Sequence, residues 1–199
     1  MVRSITSNPR PTNRLVLRPF RRRDVDPVVE AVRSSLSELM LWLPWAHPGY
    51  GRLDALHFIR ESAAAWTEGR AFDFTVRRLD RPERHLGNIS LWFTSRASGT
   101  GEMGYWVRSD ETGNGFATEA AIAILQVAFD ELDMHRVALR IAIGNSASET
   151  IATRLGFVKE GLLRDELKVH GKWMDHSIWG ILEPEYRTLE PGYRDAGWA

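Results

Sequence analysis

The stretch Gly104-Tyr105-Trp106-Val107-Arg108-Ser109-Asp110-Glu111-Thr112-Gly113-Asn114-Gly115-Phe116-Ala117-Thr118-Glu119-Ala120 has the spacing most suggestive of chemistry. A β-rich run enters a glycine-containing turn, and a segment of helical period begins at once. Such a turn points consecutive backbone N–H groups and the positive end of a helix at one spot. That spot binds phosphate without needing a basic side chain. Gly113 and Gly115 let an oxygen approach the main chain closely, and Ala117 keeps the first helical turn uncrowded. The same spacing also serves as a plain turn and cap. No Gly-Lys-Ser/Thr follows, so it is not a Walker loop. The third glycine of the dinucleotide fingerprint is missing and the flanking runs read as antiparallel, which disfavours NTP and NAD chemistry.

Other reactive sets are sparse. Cysteine is absent, which removes disulfides, thiolate catalysis and zinc-thiolate sites together. The histidines, His47, His57, His85, His135, His170 and His176, show no ligand spacing, so no metal is expected. Lysine plus arginine (26) equals aspartate plus glutamate (26), so no global field recruits nucleic acid or an anionic membrane. Arg21-Arg22-Arg23 reads as a solvated face. The start Met1-Val2-Arg3-Ser4-Ile5-Thr6 lacks a secretory pattern, and no apolar run reaches the ~20 residues of a membrane span. A cytoplasmic protein is expected.

The elements that must position the turn can be read from periodicity and punctuation. Residues 14 to 19 alternate before Pro19 and read as a first strand, after which Asp24 is expected to cap a helix running to about Arg33. Ser34 to Pro48 is aromatic and irregular. Leu53 to Glu68 reads as a helix ended by Gly69. Phe72 to Arg78, Leu86 to Phe93 and Gly101 to Val107 read as strands joined by short polar turns, hence antiparallel. Beyond the turn, Ala121, Ile122, Leu125, Ala128 and Phe129 share a helical face opposite Glu119 and Gln126. Val137, Leu139, Ile141 and Ile143 alternate with Arg136, Ala138, Arg140 and Ala142 in a strand. A helix then runs from Ser146 to Leu155, and a long hairpin turns at His170-Gly171. The sum is a mixed α+β sheet with helices on its faces, one domain over 1–199, in which 184–199 is expected to be a tail that packs weakly or not at all.

Several separated stretches carry a family likeness. Gly104-Tyr105-Trp106-Val107 leads into Gly113-Asn114-Gly115-Phe116-Ala117-Thr118-Glu119-Ala120. Asn145-Ser146-Ala147-Ser148 is followed by Leu155-Gly156-Phe157, and Gly161-Leu162-Leu163-Arg164 by Gly171-Lys172-Trp173-Met174-Asp175. With the opening Asn13-Arg14-Leu15-Val16-Leu17-Arg18-Pro19 and Trp42-Leu43-Pro44-Trp45, these cover nearly the whole chain in order. Together they resemble the GNAT superfamily of N-acetyltransferases, more closely its RimJ/RimL-like branch. The resemblance implies a mostly antiparallel central sheet of about seven strands flanked by about four helices, with a splayed strand pair holding acyl-CoA. It implies acetyl-CoA as acyl-donor cosubstrate, without a metal. The acceptor implied is a primary amine, an α-amine of a protein N-terminus or of a small aminoacyl compound, attacking directly in a ternary complex. Tyr105, Trp106, Val107, Thr112, Gly113, Asn114, Gly115, Phe116, Ala117, Thr118 and Asn145 are the residues it places on the coenzyme. Two positions depart from the pattern: Thr112 stands where Gln or Arg is usual, and Ala152 where many relatives carry a tyrosine acid.

Acyl transfer from a thioester to an amine needs a neutral amine, a polarised carbonyl and a protonated leaving thiolate. Glu102 has the parity of Gly104 and Trp106 and sits where some relatives hold a carboxylate, so it is the expected general base; the plainer role is a solvated strand carboxylate. Ser148 resembles the serine proposed to protonate the thiolate, with helix capping as its plainer role. Trp42 and Trp45 are expected to wall the acceptor pocket or to pack as ordinary core, and Asp175 and Glu166 to hold the amine or to form a surface pair. The aromatic tail, Tyr186, Tyr193 and Trp198, offers a homodimer contact. Two other functions share these features: transfer from a different acyl-CoA such as succinyl-CoA, and a non-catalytic acyl-CoA-binding or sensor module.

Overall fold

The structure is a computed structural model that describes residues 5–196. Its frame is one sheet. Strands β1 (Arg10–Pro11), β2 (Leu15–Pro19), β3 (Ala71–Arg78), β4 (Gly87–Ser95), β5 (Thr100–Val107), β6 (Arg136–Ala142), β7 (Val158–Val169) and β8 (Lys172–Leu182) lie in the order β1-β2-β3-β4-β5-β6-β8-β7. Every neighbouring pair is antiparallel except β5 and β6, which run parallel. Helices α1 (Val25–Ser34), α2 (Leu36–Trp42) and α3 (Arg52–Thr67) connect β2 to β3. α4 (Phe116–Gln126) extends through a π-helical turn, Val127–Glu131, and α5 (Ser146–Arg154) and α6 (Glu183–Asp195) complete the set.

Strand alternation divides the side chains between two cores. Leu17, Phe74, Ile89, Leu91 and Met103 pack with α4 in the larger one, and Phe20, Val28, Val32, Leu39 and Ile59 from the α1–α3 layer form the smaller. The sheet residues facing the smaller core are unusually polar: Thr75 pairs in register with Asn88, and Asn88 with Trp106.

Eight strands and six α-helices among the described residues replace the expected seven and four. β1 has two residues, too short for any periodicity. α2 lies in the stretch read as irregular, where Leu36, Leu39, Met40 and Leu43 recur at helical spacing behind the more conspicuous Trp and Pro residues. The expected loose tail is α6. Pro184 stands in its first turn, where proline's fixed φ favours a start, and Tyr186 and Tyr193, one heptad apart, are both buried. Tyr186 stacks on Phe129 at 4.7 Å between centroids, and the Tyr193 hydroxyl donates to the Leu155 carbonyl at 2.7 Å. Neither ring is therefore available for a dimer contact, and Trp198 lies outside the described residues.

Two acids also differ from expectation. Asp24 precedes α1, but its carboxylate does not cap that helix. It accepts from the Arg21 N–H at 2.7 Å and, beneath the surface, from Arg18 at 2.7 and 2.8 Å and from Arg77 at 2.9 Å. Glu119 does not face outward: it is fully buried and accepts from Thr12 Oγ1, from the Arg14 N–H at 2.8 Å and from Arg14 Nε at 2.7 Å. It thereby fastens the start of α4 to the start of β2.

Candidate acyl-donor and acceptor site

The parallel pairing of β5 and β6 is brief. Thr100, Gly101 and Glu102 register with Arg136, Val137 and Ala138, and there the ladder stops although both strands continue. β5 keeps β4 on its other side, and β6 keeps β8. The strands therefore splay, as expected, and from Met103 to Val107 the alternate backbone groups on the β6 side have no ladder partner. A cavity of about 340 Å³ fills the gap, bordered by Glu102, Tyr105, Arg140, Asn145 and Ser148.

Where β5 ends, the chain turns through Gly113 (φ +79°) and Gly115 (φ +78°) into α4. The first helical bond there is the Glu119 N–H to the Gly115 carbonyl, 3.0 Å. The N–H groups of Phe116, Ala117 and Thr118 precede that bond and, as in any helix start, have no intrahelical acceptor. The turn that leads into them borders a polar cavity lined by Asn13, Arg14, Gly113, Asn114, Gly115 and Arg154. Arg14 Nη1 donates to the Asn114 carbonyl at 3.0 Å, and its guanidinium lies 4.7 Å from the Phe116 ring centroid. The cradle thus has positive side chains as well as backbone donors. Sequence spacing could not reveal them, because Arg14 and Asn114 are 100 positions apart. Thr112 turns its hydroxyl to the Ser109 carbonyl at 2.9 Å.

The splay has different chemistry on its two faces. On the α4 and α5 side, the Tyr105 hydroxyl is buried without a hydrogen-bond partner. Burial pushes this phenol up to about 12, against a smaller lowering influence of the neighbouring Ser148 hydroxyl, yet no hydrogen bond of normal geometry joins the two. Asn145 caps α5, its Oδ1 accepting the Ser148 N–H at 3.2 Å. On the opposite face lies Glu102, 8% exposed, with Oε1 accepting from Arg140 Nε at 2.8 Å, while Arg140 also pairs with Glu166. Glu102 shares that face with Gly104 and Trp106, as strand parity requires.

A second cavity of about 520 Å³ lies on the Glu102 face, between the sheet and the α1–α3 layer. Leu43, Trp92, Gly104 and Tyr105 border both cavities. Trp45 lines this one, its ring 6.1 Å from that of Trp106. The Trp106 side chain lines the aromatic cavity, while its main chain lies in the part of β5 unpaired with β6. Trp42 borders the splay instead. Asp175 borders neither cavity: its carboxylate accepts the Asp165 N–H at 2.9 Å and supports the irregular stretch of the β7–β8 hairpin. No helix among the described residues is long and apolar enough to cross a membrane.

The chain is similar to known proteins in sequence and in fold. Residues 14–158 match the model of the acetyltransferase (GNAT) domain. The probable N-acetyltransferase YjcK of Bacillus subtilis is 35% identical over 104 residues, which are 52% of this chain and 58% of YjcK, so the match spans little more than half of that relative. The [ribosomal protein uS5]-alanine N-acetyltransferase of Escherichia coli is 26% identical over 88% of this chain and 91% of its own. The solved structure of Mycobacterium smegmatis RimJ in complex with CoA-disulfide superposes with a TM-score of 0.79 at 27% identity, covering 90% of each chain. With a domain match across most of its length and a splayed sheet ending in an amide cradle, the chain belongs to the GNAT acetyltransferase family.

Proposed function

We propose that the protein is an acetyl-CoA-dependent N-acetyltransferase acting on a primary amine, an α-amine of a protein N-terminus or of a small aminoacyl compound. The observation that carries this reading is the cradle itself: helix-start amides with no intrahelical acceptor, flanked by arginine, at the open end of an unpaired strand gap. The residues suit the donor chemically. The amides of Phe116, Ala117 and Thr118, with Arg14, match a pyrophosphate. The free strand groups of Met103 to Val107 match the amides of a pantetheine arm, and the Asn145 side-chain N–H₂ adds a donor there. Acetyl-CoA supplies the acetyl group in activated form as a thioester.

The protein's own groups then divide the work. A strand N–H in the splay polarises the acyl carbonyl. Glu102, with one oxygen anchored by Arg140, has its second to take the proton that the amine sheds as its nitrogen bonds to carbon. Ser148, with the Tyr105 phenol beside it, delivers a proton to the leaving sulfur from the opposite face. Acid and base therefore sit on opposite sides of the strand gap. Coenzyme A release, followed with a thiol reagent across acyl-CoAs and a panel of amines, tests the assignment. Turnover with acetyl-CoA and an α-amine is expected; tight acetyl-CoA binding with no turnover on any amine would instead favour a sensor, and faster turnover with succinyl-CoA a different acyl donor.

A further inference from the structure

The aromatic cavity has a polar floor that the chemistry above does not use. His85 is 0% exposed and lines the cavity; its Nδ1 pairs with Thr75 Oγ1 at 2.8 Å, and its Nε2 is buried with no partner. Asn88 lines the same cavity. Its Nδ2 donates to Ser90 Oγ at 3.4 Å, and Ser90 passes its own proton to Asp73, which fixes which end of the amide is the oxygen. Asn88 Oδ1 is then left buried with no partner. Two unpaired polar atoms against aromatic walls are costly in a folded protein unless something pairs with them.

The kind of group that would pair with them is constrained. Asn88 Oδ1 accepts only, so the ligand must bring a donor. Burial, with the nearby Arg77 and Arg18 guanidiniums, holds His85 neutral, its pKa lowered to about 3 despite Asp24. A neutral hydroxyl fits: it donates to Asn88 and accepts from His85 in the tautomer that carries its proton on Nε2. The walls, Phe20, Trp45 and Trp106 among them, suit a ring. Gly104 has no side chain where this cavity meets the splay, and the Trp92 ring packs over it, 3.4 Å from where a Cβ would stand; both residues border the ring site and the reacting centre alike. Asp54 and Glu61 line the same cavity and would repel a free carboxylate.

We infer that this cavity holds the side group of the amine acceptor, and that the group is a phenol-type ring whose hydroxyl meets Asn88 and His85. The inference rests on the N-acetyltransferase reading, and its test separates the two. The amides of tyrosine, phenylalanine and alanine are compared as acceptors at saturating acetyl-CoA, and their binding to the coenzyme-A-loaded protein is measured by calorimetry. Tyrosinamide should exceed phenylalaninamide by about tenfold or more in kcat/KM, and alaninamide should trail both. Asn88→Leu, which removes the unpaired oxygen while keeping bulk, should bring the tyrosinamide to phenylalaninamide ratio to about one. Alaninamide equal to tyrosinamide, or an unchanged ratio in the variant, overturns the inference and leaves acetyl transfer standing. Selective binding of tyrosinamide without turnover supports the cavity assignment and defeats the enzymatic one. Absence of both binding and turnover overturns the inference.

Discussion

Replacing Tyr105 by Phe should move stability and activity in opposite directions. The Tyr105 hydroxyl is buried with no partner, a condition that costs the folded state roughly 1–3 kcal/mol relative to a solvated or bonded hydroxyl. Tyr105→Phe keeps the ring against the α4 core and removes the group that is short of a bond. The variant should therefore gain about 1 kcal/mol in urea unfolding, or roughly 2–4 °C in Tm for a chain of this length. Turnover should fall, because the same hydroxyl stands beside Ser148 on the side of the splay assigned to proton delivery. Loss of a positioned acid costs about 10²–10⁴ in kcat. With the phenol pushed up to about 12, Tyr105 stays protonated across the working range and should add no alkaline limb below about pH 10. A variant destabilised by more than about 1 kcal/mol would show that the hydroxyl is bonded after all. Unchanged kcat in a stabilised variant would remove Tyr105 from the proton path.

Other outcomes follow from the buried groups. Asp24→Asn leaves Arg18 and Arg77 without their shared anion beneath the surface, so unfolding free energy should fall by about 3–5 kcal/mol; a loss below about 1 kcal/mol would mean the arginines find other partners. Burial opposes the Asp24 charge, but the Arg18 and Arg21 hydrogen bonds and the arginine charges outweigh it, so its pKa is lowered. Its contribution is therefore present above the unfolded value near 3.8 and lost as pH falls through the lower folded value. His85 works at milder pH. The unfolded imidazole takes a proton near pH 6.5 and the folded one only at about 3, so stability should drop by roughly 2 kcal/mol between about pH 8 and pH 5. His85→Gln should flatten that slope in pH-dependent melts, and an unchanged slope would place its origin elsewhere. Tyr186→Ala, which empties a fully buried site stacked on Phe129, should cost about 3–5 kcal/mol by chemical denaturation, whereas a cost below about 1 kcal/mol would return α6 to the status of a loose tail.

Local signals in the sequence located the glycine turn before α4, and long-range pairings set its surroundings. The Gly113–Gly115 turn is legible because left-handed φ and the helix start are properties of neighbouring residues. The face shared by Glu102, Gly104 and Trp106 follows from a period of two. Arg14, Glu119 and the Asp24 cluster were not legible in their roles, because each is defined by a partner brought near only when the sheet assembles. Glu119 reads as solvent-facing on a helical wheel until the turn between β1 and β2 supplies Thr12 and Arg14 to satisfy it. α2 and α6 were missed for a different reason. In α2 the conspicuous Trp and Pro residues around its end mask the helical spacing of its leucines, whereas α6 has few apolar residues and its Pro184 reads as a break although it marks a beginning. The unpaired atoms of His85 and Asn88 cannot be read from any sequence pattern, since they are defined by what fails to reach them.

The brief β5–β6 pairing makes this sheet two panels joined along a short seam. Three registered residues at one end hold β1–β5 to β6–β8, and the rest of the boundary is open. A donor molecule lying in that opening would bond to both panels at once and act as a removable strand, so loading the site and bracing the molecule would be a single event. The aromatic cavity borders the same boundary through Gly104 and Tyr105, so the acceptor would meet a finished wall only after the donor is seated. Donor first and acceptor second is then the order that the architecture favours.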